Sequence, residues 1–190
     1  MTTAKRNTIV LVMLISAFVA MLNQTILNTA LPAIIKGLNI TETTAQWLIT
    51  GFMLVNGIMI PLTAFLMDKY TTRKLYIFSM AAFLIGSIIA ALSPGFEILM
   101  VARIIQAIGA GILLPLMQFT VFTLFPVEKR GLAMGLTGIV AQTAPAIGPT
   151  LTGLLIDFFS WRMPFYIVAA IALIAFAIGF FFVENNGCLL

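Results

Sequence analysis

Six stretches of this chain are each apolar over about the thickness of a bilayer, and only short links separate them. That pattern constrains the fold more than any other feature. They run approximately over Thr8–Ile34, Ala45–Met67, Leu75–Leu92, Phe96–Phe125, Gly131–Asp157 and Met163–Val183. A helix needs roughly 20 residues to cross the hydrocarbon, so these segments read as spanning helices and their short links make neighbours antiparallel. Charge agrees, because only 8% of residues are Asp, Glu, Lys or Arg, where a soluble domain has about a quarter. No alternating ten-residue segments suggest an outer-membrane barrel. The expected fold class is therefore all-α and integral to the membrane.

Two of the links repeat each other. Leu62–Arg73 reads LTAFLMDKYTTR and Leu151–Arg162 reads LTGLLIDFFSWR. In both, Asp68 or Asp157 ends an apolar run and Arg73 or Arg162 follows five residues later. The first and fourth segments agree more weakly, through Gln24 and Gln118, Thr29 and Thr123, and Pro32 and Pro126. A spacing of three helices is odd, so the second copy is inverted across the bilayer, as in many transporters. One six-helix lobe over residues 1–190 is expected, with repeats of about 8–92 and 96–183.

Orientation follows from the basic residues. With the N-terminus in the cytoplasm, Lys5, Arg6, Lys69, Arg73, Lys74, Lys129 and Arg130 lie inside, and only Lys36 and Arg162 lie outside. Both termini are then cytoplasmic. This asymmetry also accounts for the basic isoelectric point without nucleic acid, since no basic face can form. Histidine is absent and Cys188 is the single cysteine, so neither a metal site nor a cofactor is expected. No nucleophile–base pair or phosphate loop suggests an enzyme.

Arg103 is the one basic residue inside a span. Arginine there costs about 2.5–3.5 kcal/mol on insertion scales, so it should face the bundle and have a partner. At 1.5 Å per residue, Arg103 and Asn23 reach similar depths below the outer surface. Asn23 and Gln24 are thus expected to offer oxygens to Arg103, with Gln106 one turn away; snorkelling to the outer interface is the alternative. No Asp or Glu sits centrally in any span, so these residues include no evident proton carrier. Asp68 with Arg73, and Asp157 with Arg162, read as latches at the helix ends or as plain charge clusters. Gly135, Gly138, Pro145, Gly148, Pro149 and Gly153 read as a bend that seals the fifth helix against a neighbour. Among many Met and Phe, Met53 and Met117 are the candidate lining of an adaptable apolar site.

Together these motifs resemble the N-terminal half of a major facilitator superfamily transporter, of the fourteen-helix drug:proton antiporter branch. LNQTILNTALP is similar to its first-helix signature and AFLMDKYTTRKL to its loop between helices two and three. VARIIQAIGAG resembles the fourth-helix motif, and GIVAQTAPAIGPTLTG the fifth-helix antiporter motif. Three positions depart: Asn23 stands where the family usually has an acidic residue, Thr71 replaces the loop glycine, and Ala144 replaces the glycine before Pro145. The resemblance implies export of lipophilic or cationic small molecules by alternating access in a bacterial cell membrane. It also implies a substrate path between two halves, so a second half would come from an identical chain or a separate polypeptide. A fragment that inserts but transports nothing, or that serves as an assembly partner, is the alternative.

Overall fold

The computed structural model describes residues 3–182; Val183, Glu184, Cys188 and the tail ENNGCLL lie outside the described residues. Six helices make up the architecture: α1 (Thr3–Leu38), α2 (Glu42–Lys69), α3 (Thr72–Leu92), α4 (Phe96–Leu124), α5 (Val127–Phe158) and α6 (Met163–Phe182). Each is long and apolar enough to cross a membrane. Most helices extend beyond the apolar runs because their ends are polar caps. Thr41 accepts the amide of Thr44 ahead of α2, and Thr71 accepts that of Lys74 ahead of α3. A side-chain oxygen there satisfies an amide that the first helical turn leaves open. Thr71 thus caps α3 where the family's usual glycine could not. At the end of α1, Asn39 takes the left-handed conformation that stops a helix, with φ 52°.

The helices do not pack in chain order. α4 packs mainly on α3 and α2, α1 mainly on α5 and α6, and α3 lies antiparallel along α6. Exchanging α1, α2 and α3 for α4, α5 and α6 carries the α3–α4 pairing into α6–α1 and the α2–α4 pairing into α5–α1, and leaves α3–α6 as itself. α1 and α4 are the most enclosed helices, whereas α2 and α5 each bury a narrow side. The start of α1, the α2–α3 and α4–α5 links and the end of α6 share one surface, called here the terminal side. The other links form the far side.

Lipid tails are as apolar as leucine, so helices associate by close contact rather than by escape from water. Glycines set that contact. A Cβ at Gly109 would lie 2.5 Å from the Ser79 carbonyl oxygen and 2.8 Å from the Phe83 nitrogen. Reciprocally, one at Gly86 would lie 2.8 Å from the Ala102 oxygen and the Gln106 nitrogen. Backbone meets backbone at both points of the α3–α4 crossing. A Cβ at Gly111 would lie 2.5 Å from the Met59 Cβ of α2, and the Thr63 hydroxyl donates to the Gly111 carbonyl at 3.2 Å.

Two apolar clusters fill the bundle. The larger, nearer the terminal side, includes Met13, Tyr76, Phe83 and Leu116. The smaller, toward the far side, includes Leu27, Leu48, Leu99 and Phe165. Along α3 and α4 the clusters part between residues 84 and 90 and between 102 and 107. Ser87, Arg103 and Gln106 occupy that gap.

Candidate functional site

The gap holds a buried polar chain. The Arg103 side chain is 1% exposed, so it does not snorkel. Its Nη1 donates to Gln106 Oε1 at 2.8 Å, Gln106 Nε2 donates to Ser87 Oγ at 3.0 Å, and Ser87 donates to the Phe83 carbonyl at 2.8 Å. The charge on α4 is thereby tied to the backbone of α3. From α2, the Phe52 ring lies 4.2 Å from the guanidinium carbon, a cation–π contact. Phe52 was not singled out in the sequence, where one phenylalanine among sixteen carries no distinguishing mark.

Asn23 and Gln24 do not bond to Arg103. Matching depth fixes height along the bundle but not the direction in which a side chain points, and Gln106 reaches Arg103 from the same helix face. Asn23 is fully buried, and neither its Oδ1 nor its Nδ2 has a hydrogen-bond partner. Gln24 is half-buried. Arg103 Nε also lacks a partner.

The arginines at the helix ends bond to carbonyls. Arg73, at the start of α3, donates to the Phe180 carbonyl near the end of α6 at 3.3 Å. Arg162, just before α6, donates to the Ser93 carbonyl at the end of α3 through Nε at 3.3 Å and Nη2 at 2.9 Å. Each therefore staples one end of the antiparallel α3–α6 pair, in inverted positions. The carboxyl end of a helix carries about half a negative charge, which suits a guanidinium. The latch expected between Asp157 and Arg162 is not made: Asp157 is exposed, and no ion pair joins the two among the described residues. Asp68 is exposed in the last turn of α2. Every arginine also lies over an aromatic ring: Arg6 over Phe125, Arg73 over Phe180, Arg103 over Phe52, Arg130 over Phe122 and Arg162 over Trp161.

On α5 the expected motif divides. Gly148 packs against Thr25 of α1, where an added Cβ would lie 2.9 Å from the threonine Cβ. Gly135, Gly138 and Gly153 border open space, and Pro145 and Pro149 are exposed. Only Gly148 of these glycines seals α5 to a neighbour, because a Cβ at any of the others would meet nothing within 4 Å. The two methionines also separate. Met53 is half-exposed on α2, but Met117 is 2% exposed within the larger cluster. They cannot line one surface in this arrangement.

The sequence reading gave no site role to Asn28 on α1, Gln118 on α4 or Gln142 on α5, which are exposed amides within the spans. An amide inside an apolar span is itself the signal, since such groups turn to a bundle interior or a water-filled cavity rather than to lipid.

Residues 13–187 match the family model described as Major Facilitator Superfamily. The chain is 52% identical over 180 residues to a protein of Bacillus subtilis (strain 168) named as an uncharacterized MFS-type transporter, YcnB, covering 95% of this chain and 38% of YcnB. It is 43% identical to the lincomycin resistance protein LmrB of the same organism, over 93% of this chain and 37% of LmrB. With the protein of Escherichia coli (strain K12) named as probable multidrug resistance protein EmrY the identity is 35%, over 80% of this chain and 30% of EmrY. A crystal structure of the peptide transporter POT with alafosfalin superposes with a TM-score of 0.82 over 93% of this chain and 38% of that one, at 13% identity, a likeness of fold alone. The chain thus spans less than two-fifths of the length of these proteins. Its six membrane-length helices and the family match over most of its residues lead to one conclusion: the chain belongs to the major facilitator superfamily of membrane transporters.

Proposed function

We propose that this chain forms one lobe, built of inverted repeats at about 8–92 and 96–183, of an exporter of lipophilic or cationic small molecules that works by alternating access. The observation that carries this reading is the exposure of Asn28, Gln118 and Gln142 on α1, α4 and α5. Lipid is a poor neighbour for an amide, whereas a watered passage bounded by a second lobe suits it. The thinly buried helices α2 and α5 give that second lobe two places to pack. It would be a second copy of the chain, a separate polypeptide or further residues of a longer one. By the excess of basic residues, the terminal side faces the cytoplasm. The names of LmrB and EmrY point to drug-like substrates. Arg103, Gln106, Gln24 and the unbonded Asn23 are the candidate coupling and substrate residues, with Met53 a candidate at the rim.

Vesicles containing this chain alone test the reading. Efflux of a fluorescent lipophilic cation, together with a particle mass of two chains in lipid nanodiscs, is expected if a second copy supplies the other lobe. A monomeric particle without efflux, and no gain of efflux when the remaining part of a longer relative is co-expressed, would overturn it.

A further inference from the structure

α2 and α3 are consecutive and antiparallel, yet they hardly touch, because α2 is drawn to α4 and α3 to α4 and α6. Their divergence leaves a cleft of about 380 Å³ at the terminal side, lined by Leu66, Tyr70, Lys74, Leu75 and Phe78. At about 30 Å³ each, roughly a dozen waters would fit, but water in a cavity needs two to four polar partners. Among the described residues, the walls offer only the Lys74 ammonium and the Tyr70 hydroxyl. Hydrocarbon is the better filling.

The basic residues around the cleft differ in what holds them. The Lys69 ammonium lies 4.4 Å from the centroid of the Phe65 ring. Arg73 donates to the Phe180 carbonyl and lies over its ring. The Lys74 side chain is exposed at the cleft and makes no hydrogen bond or ion pair among the described residues. An uncommitted cation at the end of an apolar slot, at the depth of a membrane surface, matches an amphiphile with an acidic head. Tyr70 is half-exposed, as suits a ring with one apolar and one wet end at headgroup level. We infer that the α2–α3 cleft binds one anionic phospholipid of the adjacent leaflet, its phosphate on Lys74 and an acyl chain along Leu66, Leu75 and Phe78. A zwitterionic lipid fits less well, because its own ammonium would sit close to that of Lys74. The inference rests on membrane insertion and is independent of the transport reading.

Native mass spectrometry of the full chain, released from detergent with graded phosphatidylglycerol or phosphatidylcholine, tests it. One phosphatidylglycerol should be retained in preference to phosphatidylcholine. A surface lysine is worth about fivefold in affinity for an anionic headgroup, so Lys74→Gln should reduce retention about fivefold while Lys74→Arg preserves it. Phe78→Ser should weaken both lipids, and Lys129→Gln, away from the cleft, neither. Soluble glycerol phosphate should not compete, since the chain in the cleft supplies part of the affinity. Equal retention of the two lipids, an unchanged Lys74→Gln variant, full competition by glycerol phosphate, or a Phe78→Ser variant that splits a dimer instead of losing lipid would each overturn the proposal.

Discussion

Gln106→Leu should destabilise this bundle through the charge it leaves behind. The substitution removes the 2.8 Å bond to Arg103 Nη1 and the 3.0 Å bond to Ser87. Arg103 keeps the Phe52 face but loses its one hydrogen-bond acceptor, with its Nε already unpartnered. A hydrogen bond to a charged group contributes about 1.5–3 kcal/mol in water-soluble proteins. Between membrane helices, neutral bonds average about 0.6 kcal/mol, because the unfolded helices also find partners. A cost of about 2 kcal/mol for Gln106→Leu lies between these limits. Arg103→Met removes the charge and strands only a neutral amide, so it should cost less than about 1 kcal/mol. The double variant has neither charge nor stranded amide, and replacing buried ionic groups with apolar ones is often neutral or stabilising. The cycle should therefore give a coupling of about 2–3 kcal/mol. Equilibrium unfolding in mixed micelles of rising dodecyl sulfate content would measure it, with fluorescence of the buried Trp161 as reporter. Additivity within about 0.5 kcal/mol would refute the reasoning, because the amide would then not be what makes the buried guanidinium tolerable.

Other outcomes follow from the same contacts. Arg162→Gln should cost about 1 kcal/mol in the same unfolding assay and Arg73→Gln about half as much, since Arg162 makes two bonds to its carbonyl and Arg73 one long, exposed bond. Gly109→Leu should cost about 3 kcal/mol or more by forcing α3 from α4, visible as lost insertion yield, whereas Gly138→Leu, bordering open space, should stay within about 0.5 kcal/mol. Asn23→Leu should raise stability by about 1 kcal/mol, because neither amide atom has a partner to lose; a fall in the unfolding midpoint would show that water or another group bonds there. In an active assembly, Asn23→Asp should make efflux more dependent on the pH gradient, read by dye efflux at matched and unmatched pH, since it places a titratable group within the spans.

How much of this was legible beforehand follows from what each signal measures. Hydropathy reports which residues avoid water, so it located all six helices and erred mainly by a few residues at polar ends such as Glu42–Thr44, where Thr41 caps. The repeated Asp–Arg spacing marked two equivalent places, and the structure has inverted staples there. Their acceptors are the carbonyls of Phe180 and Ser93, however, and a backbone oxygen has no letter in the sequence. Pairing by side-chain type therefore turned Arg162 toward Asp157, when the end of the antiparallel α3 already offered it a partial negative charge. The same limit explains Arg103. Its burial follows from the cost of a charge in hydrocarbon, and Gln106 from helical spacing, but Phe52 arrives from α2 at an azimuth no depth estimate contains. The division of α5 into a face against α1 and a face toward open space was also hidden, because glycine serves equally where two backbones meet and where a second lobe would come to rest. Which face is which depends on α1 being packed beside α5, and that neighbour lies across the repeat boundary rather than next in the chain. What escaped the sequence was therefore the exchange of partners between the two triplets, since hydropathy fixes the number of helices but not which of their faces meet.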